Sequence, residues 1–241
     1  MYFWHINHQQ FIHMTKRFFI ALILSSVSFC CVKAESPKTA TDRWHNYKRT
    51  SYMSIRFGLN VPTIRYKGTG GTAQTNPLPR FHLSFIYGNK LGKGLPFYLE
   101  TGVSYTEKGA EIEATDEYEF RKCNLKYLQI PVVLKYRWTT NVDDFTIQPF
   151  FGGYIACGVG GKTKLYTSRT KQSSFGDNRY NRFDAGIRAG CGLSYQNFYF
   201  ETGYEAGLYN IAGDQYTDYH YDDFDGFIRN GNFFMTLGVN F

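Results

Sequence analysis

No apolar run in this chain is long enough to cross a membrane as a helix. Such a span needs about 20 consecutive apolar residues, and the best candidate, residues 18–29, falls well short. Cysteine is sparse, at five. Cys30 and Cys31 lie near the N-terminus, which leaves Cys123, Cys157 and Cys191, an odd set that excludes a complete disulfide framework. Cys157 and Cys191 stand in strand-like apolar runs and read as small hydrophobes, although a bridge between them across neighbouring strands stays open. There is no phosphate-cradling loop and no nucleophile elbow. Gly152-Gly153 and Gly158-x-Gly160 sit within a strand-like segment rather than before a helix, which excludes a dinucleotide site. His45 and His220 lack metal-ligand spacing, so no metal, cofactor or catalytic residue is assigned. The formal charge of +7 is a small excess, part of it in Lys16, Arg17 and Lys33. It suits contact with anionic lipid and is too weak to point to nucleic acid.

Aromatic residues are abundant: 19% of the chain, with 20 Tyr and 22 Phe beside 24 Gly, yet mean hydropathy is only −0.39. A soluble protein would hide so many rings in a core. A membrane barrel turns them outward and keeps polar residues inside, which reconciles the two figures. The N-terminus fits export. Met14, Thr15, Lys16 and Arg17 open a basic segment, the apolar run 18–29 follows, and Ala34 precedes a cut ahead of Glu35. Residues 1–34 therefore read as a signal peptide with Met14 as the true start. Cleavage at Cys30 or Cys31 would place Phe29 or Cys30 where a lipoprotein needs a small residue. Residues 35–50 are polar and read as a periplasmic lead-in, and residues 51–241 as the barrel.

Period-two patterning predicts eight strands, at residues 51–61, 80–88, 96–108, 124–138, 145–160, 182–195, 198–209 and 231–241. In the first, Met53, Ile55, Phe57, Leu59 and Val61 share one face, while Ser54, Arg56, Gly58 and Asn60 share the other. In the fifth the facing is ambiguous. The connections 62–79, 109–123, 161–181 and 210–230 are long, and 89–95, 139–144 and 196–197 are short. This is the alternation of an outer-membrane barrel with long outer loops, short periplasmic turns and both termini in the periplasm. The fold class expected is an all-β, eight-stranded, antiparallel up-and-down barrel in the outer membrane of a Gram-negative cell. Tyr87, Phe97, Tyr136, Tyr195, Phe198 and Phe241 fall on the outward parity near the periplasmic strand ends, as an interfacial aromatic girdle would.

The inward parity collects Arg56, Lys135, Arg137 and Arg188 against Glu100, Asp184, Glu201 and Glu205, with Tyr98, Gln129 and Tyr199 on the same face. Eight strands enclose a space that side chains just fill, and opposite charges packed there pair, because an unpaired one costs several kcal/mol. The expectation is a plugged lumen. The competing functional reading is a narrow ion path lined by the same charges.

Other constellations are weaker. His82 and Ser84 stand two apart on a strand, a spacing that some lipid A deacylases use. Here both share the inward face, while Phe81, Leu83, Phe85 and Tyr87 take the lipid side, so polar filling is the better reading. The last outer loop interleaves Asp214, Asp218, Asp222, Asp223 and Asp225 with Tyr216, Tyr219, Tyr221 and Phe224. Its Asp223-Phe224-Asp225-Gly226 lacks the Glu of a calcium loop. The preceding loop is basic, with Lys162, Lys164, Arg169, Lys171, Arg179 and Arg182, so attraction between the two loops is the economical explanation. Tyr216, Tyr219, Tyr221, Asp222 and Asp223 also form a candidate partner surface, since tyrosine supplies rigid amphipathic contact area.

The run 125–138, Leu-Lys-Tyr-Leu-Gln-Ile-Pro-Val-Val-Leu-Lys-Tyr-Arg-Trp, resembles a hallmark strand of the PorT-like porin family, also described as the outer-membrane protein beta-barrel domain. Similar in the same way are Pro149-Phe150-Phe151-Gly152-Gly153-Tyr154, the run from Asp184 to Gly192, Glu201-Thr202-Gly203-Tyr204, Gly207-Leu208-Tyr209-Asn210-Ile211 and the closing Leu237-Gly238-Val239-Asn240-Phe241. The family often has Glu where Gln129 stands. The resemblance covers residues 51–241 and implies a small outer-membrane barrel, some of whose relatives are associated with protein secretion. Three roles follow as expectations: a non-enzymatic scaffold presenting surface loops, an accessory part of a secretion or envelope-assembly complex, or a small solute channel. The partners expected are outer-membrane lipid, the barrel assembly machinery reading the C-terminal strand, and a protein at the outer loops or the periplasmic face.

Overall fold

The computed structural model describes residues 50–68, 71–72, 75–92, 95–112, 121–140, 144–165, 171–176, 179–213 and 227–241. The expected leader 1–34, the lead-in up to residue 49, and Tyr216, Tyr219, Tyr221, Asp222 and Asp223 lie outside the described residues. Eight long strands carry the fold: β1 (Ser51–Gly68), β2 (Arg80–Lys90), β3 (Phe97–Lys108), β4 (Arg121–Tyr136), β5 (Phe145–Leu165), β6 (Phe183–Tyr195), β7 (Phe198–Gly207) and β8 (Phe227–Asn240). Short pieces such as Thr75–Pro77, Ala110–Ile112 and Lys171–Ser173 pair at their ends.

Each long strand is antiparallel to its neighbours in sequence, and β8 returns to β1 in register from Ser54↔Asn240 to Lys67↔Phe227. That last pairing closes the sheet into a barrel. Closure satisfies the backbone groups that hydrocarbon cannot hydrogen-bond, and it removes the edges at which an open sheet would aggregate.

Side-chain burial is the reverse of a soluble protein's. On β1, Phe57 is 53% exposed while its neighbour Arg56 is 2% exposed. Met53, Ile55, Leu59, Phe81, Leu83, Phe85, Val132, Leu134, Ile187, Met235 and Leu237 are likewise exposed on the outside. The pleat alternates side chains between faces, so one apolar residue in two gives a greasy exterior and a polar interior.

Three features depart from the expectations. First, several strands run further: β1 continues to Gly68, β5 to Leu165, β4 begins at Arg121 and β8 at Phe227. Past the apolar band the outer face meets water, so exposed Lys162 and Lys164 take outward positions. The hydrophobic alternation fades there although the hydrogen-bond ladder continues. Second, β5 changes facing partway. Its even positions point inward up to Gly158. Lys126 pairs with Gly160 and Tyr127 with Gly158, so Val159 is an extra, bulged residue. Beyond it the odd positions point inward, as buried Thr163 does. Gly161 follows at φ 154, a conformation that side chains rarely adopt. Third, Cys157 pairs with Phe183 and Cys191 with Pro149, at well-separated levels of the β5–β6 ladder. The three described cysteines are free thiols, which excludes the bridge.

At the end that carries both described chain ends, β6 and β7 join through the two residues Gln196 and Asn197, with Gln196 at φ 53. The opposite end carries the long hairpins.

Candidate functional site

The interior is the chemically distinctive part of the molecule. Near the termini end, the Arg137 guanidinium lies 4.2 Å from the centroid of Tyr98 and 5.3 Å from that of Tyr52. The Tyr52 hydroxyl donates a hydrogen bond to Glu100. Arg56, on β1, approaches both Glu100 (2.6 Å) and Glu201 (3.1 Å), on β3 and β7. Lys135, on β4, lies 2.9 Å from Glu100 and 4.0 Å from Glu201. The Tyr199 ring sits among these groups, 4.3 Å from Arg56 and 4.3 Å from Lys135. Its hydroxyl donates to Glu201 at 2.9 Å. A Cβ at Gly192 would stand 2.2 Å from that hydroxyl, so only glycine leaves space for the ring.

The ion pairs continue toward the hairpin end. Arg188 contacts Glu201 at 2.6 Å and Glu205 at 3.1 Å. Lys108 contacts Glu205 and Asp184, both at 3.3 Å, and lies 4.0 Å from the Tyr154 ring centroid. Neutral groups add donors to the acids: Gln129 donates to Glu205 at 2.7 Å, Asn232 to Glu205 at 3.1 Å and Asn230 to Asp184 at 2.9 Å. Four bases, Arg56, Lys108, Lys135 and Arg188, thus meet four acids, Glu100, Asp184, Glu201 and Glu205, in one linked and buried network. The deep setting raises the stakes of each pairing, because a buried charge that loses its partner keeps its desolvation penalty.

Beyond Lys108 the interior turns apolar. Ile64, Leu125, Tyr127 and Ile228 point in from the strands and pack with Phe175, Tyr180 and Ile211 from the hairpin segments. Cys123 lies in this cluster with its Sγ 3.2 Å from the Tyr180 hydroxyl. Ser174 bonds the carbonyl of Asn124 at 2.9 Å and tethers the segment that carries Phe175.

All eight lumen residues singled out in the sequence are buried inside the barrel. Seven of them enter the ion-pair network, and Arg137 sits over the tyrosines at its end. Lys108 is an addition to that set. It closes β3 and shares the even parity of Tyr98 and Glu100, so parity alone suffices to find it. Phe175, Tyr180 and Ile211 are further additions, and they come from segments without any period. His82 and Ser84 both face the lumen and are buried. His82 stacks on Phe234, with centroids 6.5 Å apart, and neither of its ring nitrogens has a hydrogen-bond partner among the described residues. No cluster of metal-ligating side chains occurs among the described residues.

Of the aromatic set, Tyr136, Tyr195, Phe198 and Phe241 are exposed on the outer face, and Tyr87 and Phe97 are half-buried there. Phe97 and Tyr136 are cross-strand partners with rings edge to face at 5.3 Å. Trp138 joins this end of the exterior as a further exposed ring.

Known structures of similar fold include three outer-membrane proteins. Ail, the attachment invasion locus protein of Yersinia pestis, is 15% identical over 80% of this chain and 100% of its own, with a TM-score of 0.39. Neisserial surface protein A is 13% identical over 80% and 98%, with a TM-score of 0.40. A major outer membrane protein from Thermus thermophilus is 12% identical over 80% and 100%, with a TM-score of 0.46. No curated protein matches the chain. The family model of the outer membrane protein beta-barrel domain matches residues 39–213. With a closed barrel whose apolar face is turned outward, the chain belongs to the outer membrane protein beta-barrel domain family and is an outer-membrane protein.

Proposed function

We propose that the protein is a non-enzymatic barrel whose filled interior makes it a rigid post, holding its long hairpins at the cell surface as an interaction scaffold. One observation carries this reading: the ion-pair network runs from Glu100 to Asp184 without a break and meets the Phe175–Tyr180–Ile211 cluster. A freely conducting porin needs about 16 strands. Purified barrel in a planar bilayer tests the reading: no stable open level is expected, and a reproducible one would refute it.

The same reading puts both termini in the periplasm, after removal of a leader that ends at Ala34. N-terminal sequencing of the mature protein and protease shaving of intact cells check these two points. It also assigns the tyrosine–aspartate loop, with Tyr216, Tyr219, Tyr221, Asp222 and Asp223, to a surface partner, and the C-terminal strand to the barrel assembly machinery. The 125–138 strand, with its PorT-like resemblance, favours a second reading, an accessory role in a secretion or envelope-assembly complex. A stoichiometric partner recovered from detergent-solubilised envelope would support that role.

A further inference from the structure

The outer wall is not evenly covered. On β4, β5 and β6, Val132, Gly153 and Ile187 form one cross-strand row, and Ile130, Ile155 and Ala185 form the next toward the hairpin end. Gly153 and Ala185 supply little or no side chain, and the wall has a furrow of about 550 Å³ there, bounded also by Leu208 and Tyr209. The Tyr209 ring is fixed edge to face against Phe183 at 4.9 Å. The furrow is apolar and opens sideways, toward hydrocarbon.

Directly beyond it on β5, past the bulge at Val159, the outward positions become Lys162 and Lys164. Lys164 lies opposite both Lys122 and Lys171 in the ladder. Lys122 is held by Glu111 at 2.7 Å. Lys162, Lys164 and Lys171 are exposed and make no ion pair among the described residues. Like charges placed opposite one another in a ladder repel, and an anion between them would relieve the repulsion. From Ile155 to Lys162 the distance along the strand is about 20 Å, six ladder steps of roughly 3.3 Å with the bulged Val159 discounted. A single lipid spans that distance between its chain and its headgroup.

We propose that the furrow and the lysine row form one docking site for a phosphate-bearing anionic lipid of the outer leaflet. An acyl chain occupies the gap over Gly153 and Ala185, and phosphate oxygens meet Lys162, Lys164 and Lys171. Ammonium groups on flexible stems suit phosphate as point charges. The leaflet assignment rests on the reading that the hairpins stand at the cell surface, whereas the binding itself does not.

The test uses the full barrel in neutral detergent micelles with bisphosphorylated lipid A, its dephosphorylated counterpart and inorganic phosphate, read by native mass spectrometry after detergent exchange. Wild type should retain the phosphorylated lipid at least tenfold better than the dephosphorylated one. The triple variant Lys162→Gln, Lys164→Gln, Lys171→Gln and the separate variant Ala185→Phe should each lose at least tenfold. Both changes lie on the exterior, and gel mobility without heating verifies that the barrel is folded. Equal retention of the two lipids, or wild-type retention by either variant, would overturn the proposal. So would displacement by inorganic phosphate alone, which would mark a headgroup-only site. Micelles have no leaflets, so protease shaving of cells can fail on orientation while lipid retention holds, and the reverse.

Discussion

Replacing Glu201 with Gln keeps the side chain's size and deletes its charge. In the native barrel that carboxylate lies 2.6 Å from Arg188, 3.1 Å from Arg56 and 4.0 Å from Lys135, and accepts the Tyr199 hydroxyl at 2.9 Å. The substitution leaves four buried bases facing three carboxylates. Removing one partner of a buried pair costs about 3–5 kcal/mol, whereas a part-exposed pair contributes about 1 kcal/mol or less. The Lys126–Glu107 pair, at 3.3 Å with its lysine side chain 40% exposed, supplies the internal control. Glu201→Gln should therefore destabilise the barrel by about 3–5 kcal/mol, and Glu107→Gln by no more than about 1 kcal/mol. Urea titration in micelles, read by the mobility difference between folded and unfolded barrel, measures both. Adding Arg188→Met to Glu201→Gln restores the charge balance, so the double variant should beat the sum of the singles by about 0.5–3 kcal/mol. The argument is refuted if Glu201→Gln costs no more than Glu107→Gln, or if the double variant is simply additive.

Other sites give independent checks. Gly192→Ala drives a methyl group into the Tyr199 hydroxyl and should cost about 1–3 kcal/mol in the same titration. His82→Phe removes two buried nitrogens that have no partner among the described residues, beside Phe234, and a gain of about 1–3 kcal/mol is expected, with a loss counting against the burial argument. Phe57→Arg puts a charge on the lipid face at mid-strand and should cost about 2–4 kcal/mol in bilayers, and much less in a water-facing comparison such as Lys164→Arg.

How much of this was legible in advance depended on which residues meet lipid. Along the lipid-facing part of β1 and β6, outward positions are apolar and inward ones polar or small, so parity alone places Arg56 and Arg188. On β5 the bulge at Val159 exchanges the two faces, and a strict period of two cannot describe a strand that changes phase. The strand ends are hidden for a related reason: Lys162 and Lys164 continue a ladder whose exterior is already wet, so their polarity imitates a loop. Pairing partners were beyond reach. Arg56 and Glu201 are 145 residues apart in sequence, and only the register of eight strands decides which acid each base meets. Lys108 shows the same limit, since parity places it in the lumen but does not tell that Asp184 and Glu205 are its partners.

The linked charges also act as a proofreader for assembly. A one-residue slip between β1 and β8 turns every side chain to the wrong face and is rejected by the bilayer. A two-residue slip keeps lipid and lumen faces correct, so hydrophobicity cannot detect it. It would carry Arg56 about 6.6 Å along its strand, away from Glu201, which it now meets across the seam at 3.1 Å. Glu100 would stay with Arg56, being held to β1 through β2 and β3, so the misfit falls on the pair that straddles the seam. Alignment of the final closure is thus checked by an ion pair with one member on each side of it.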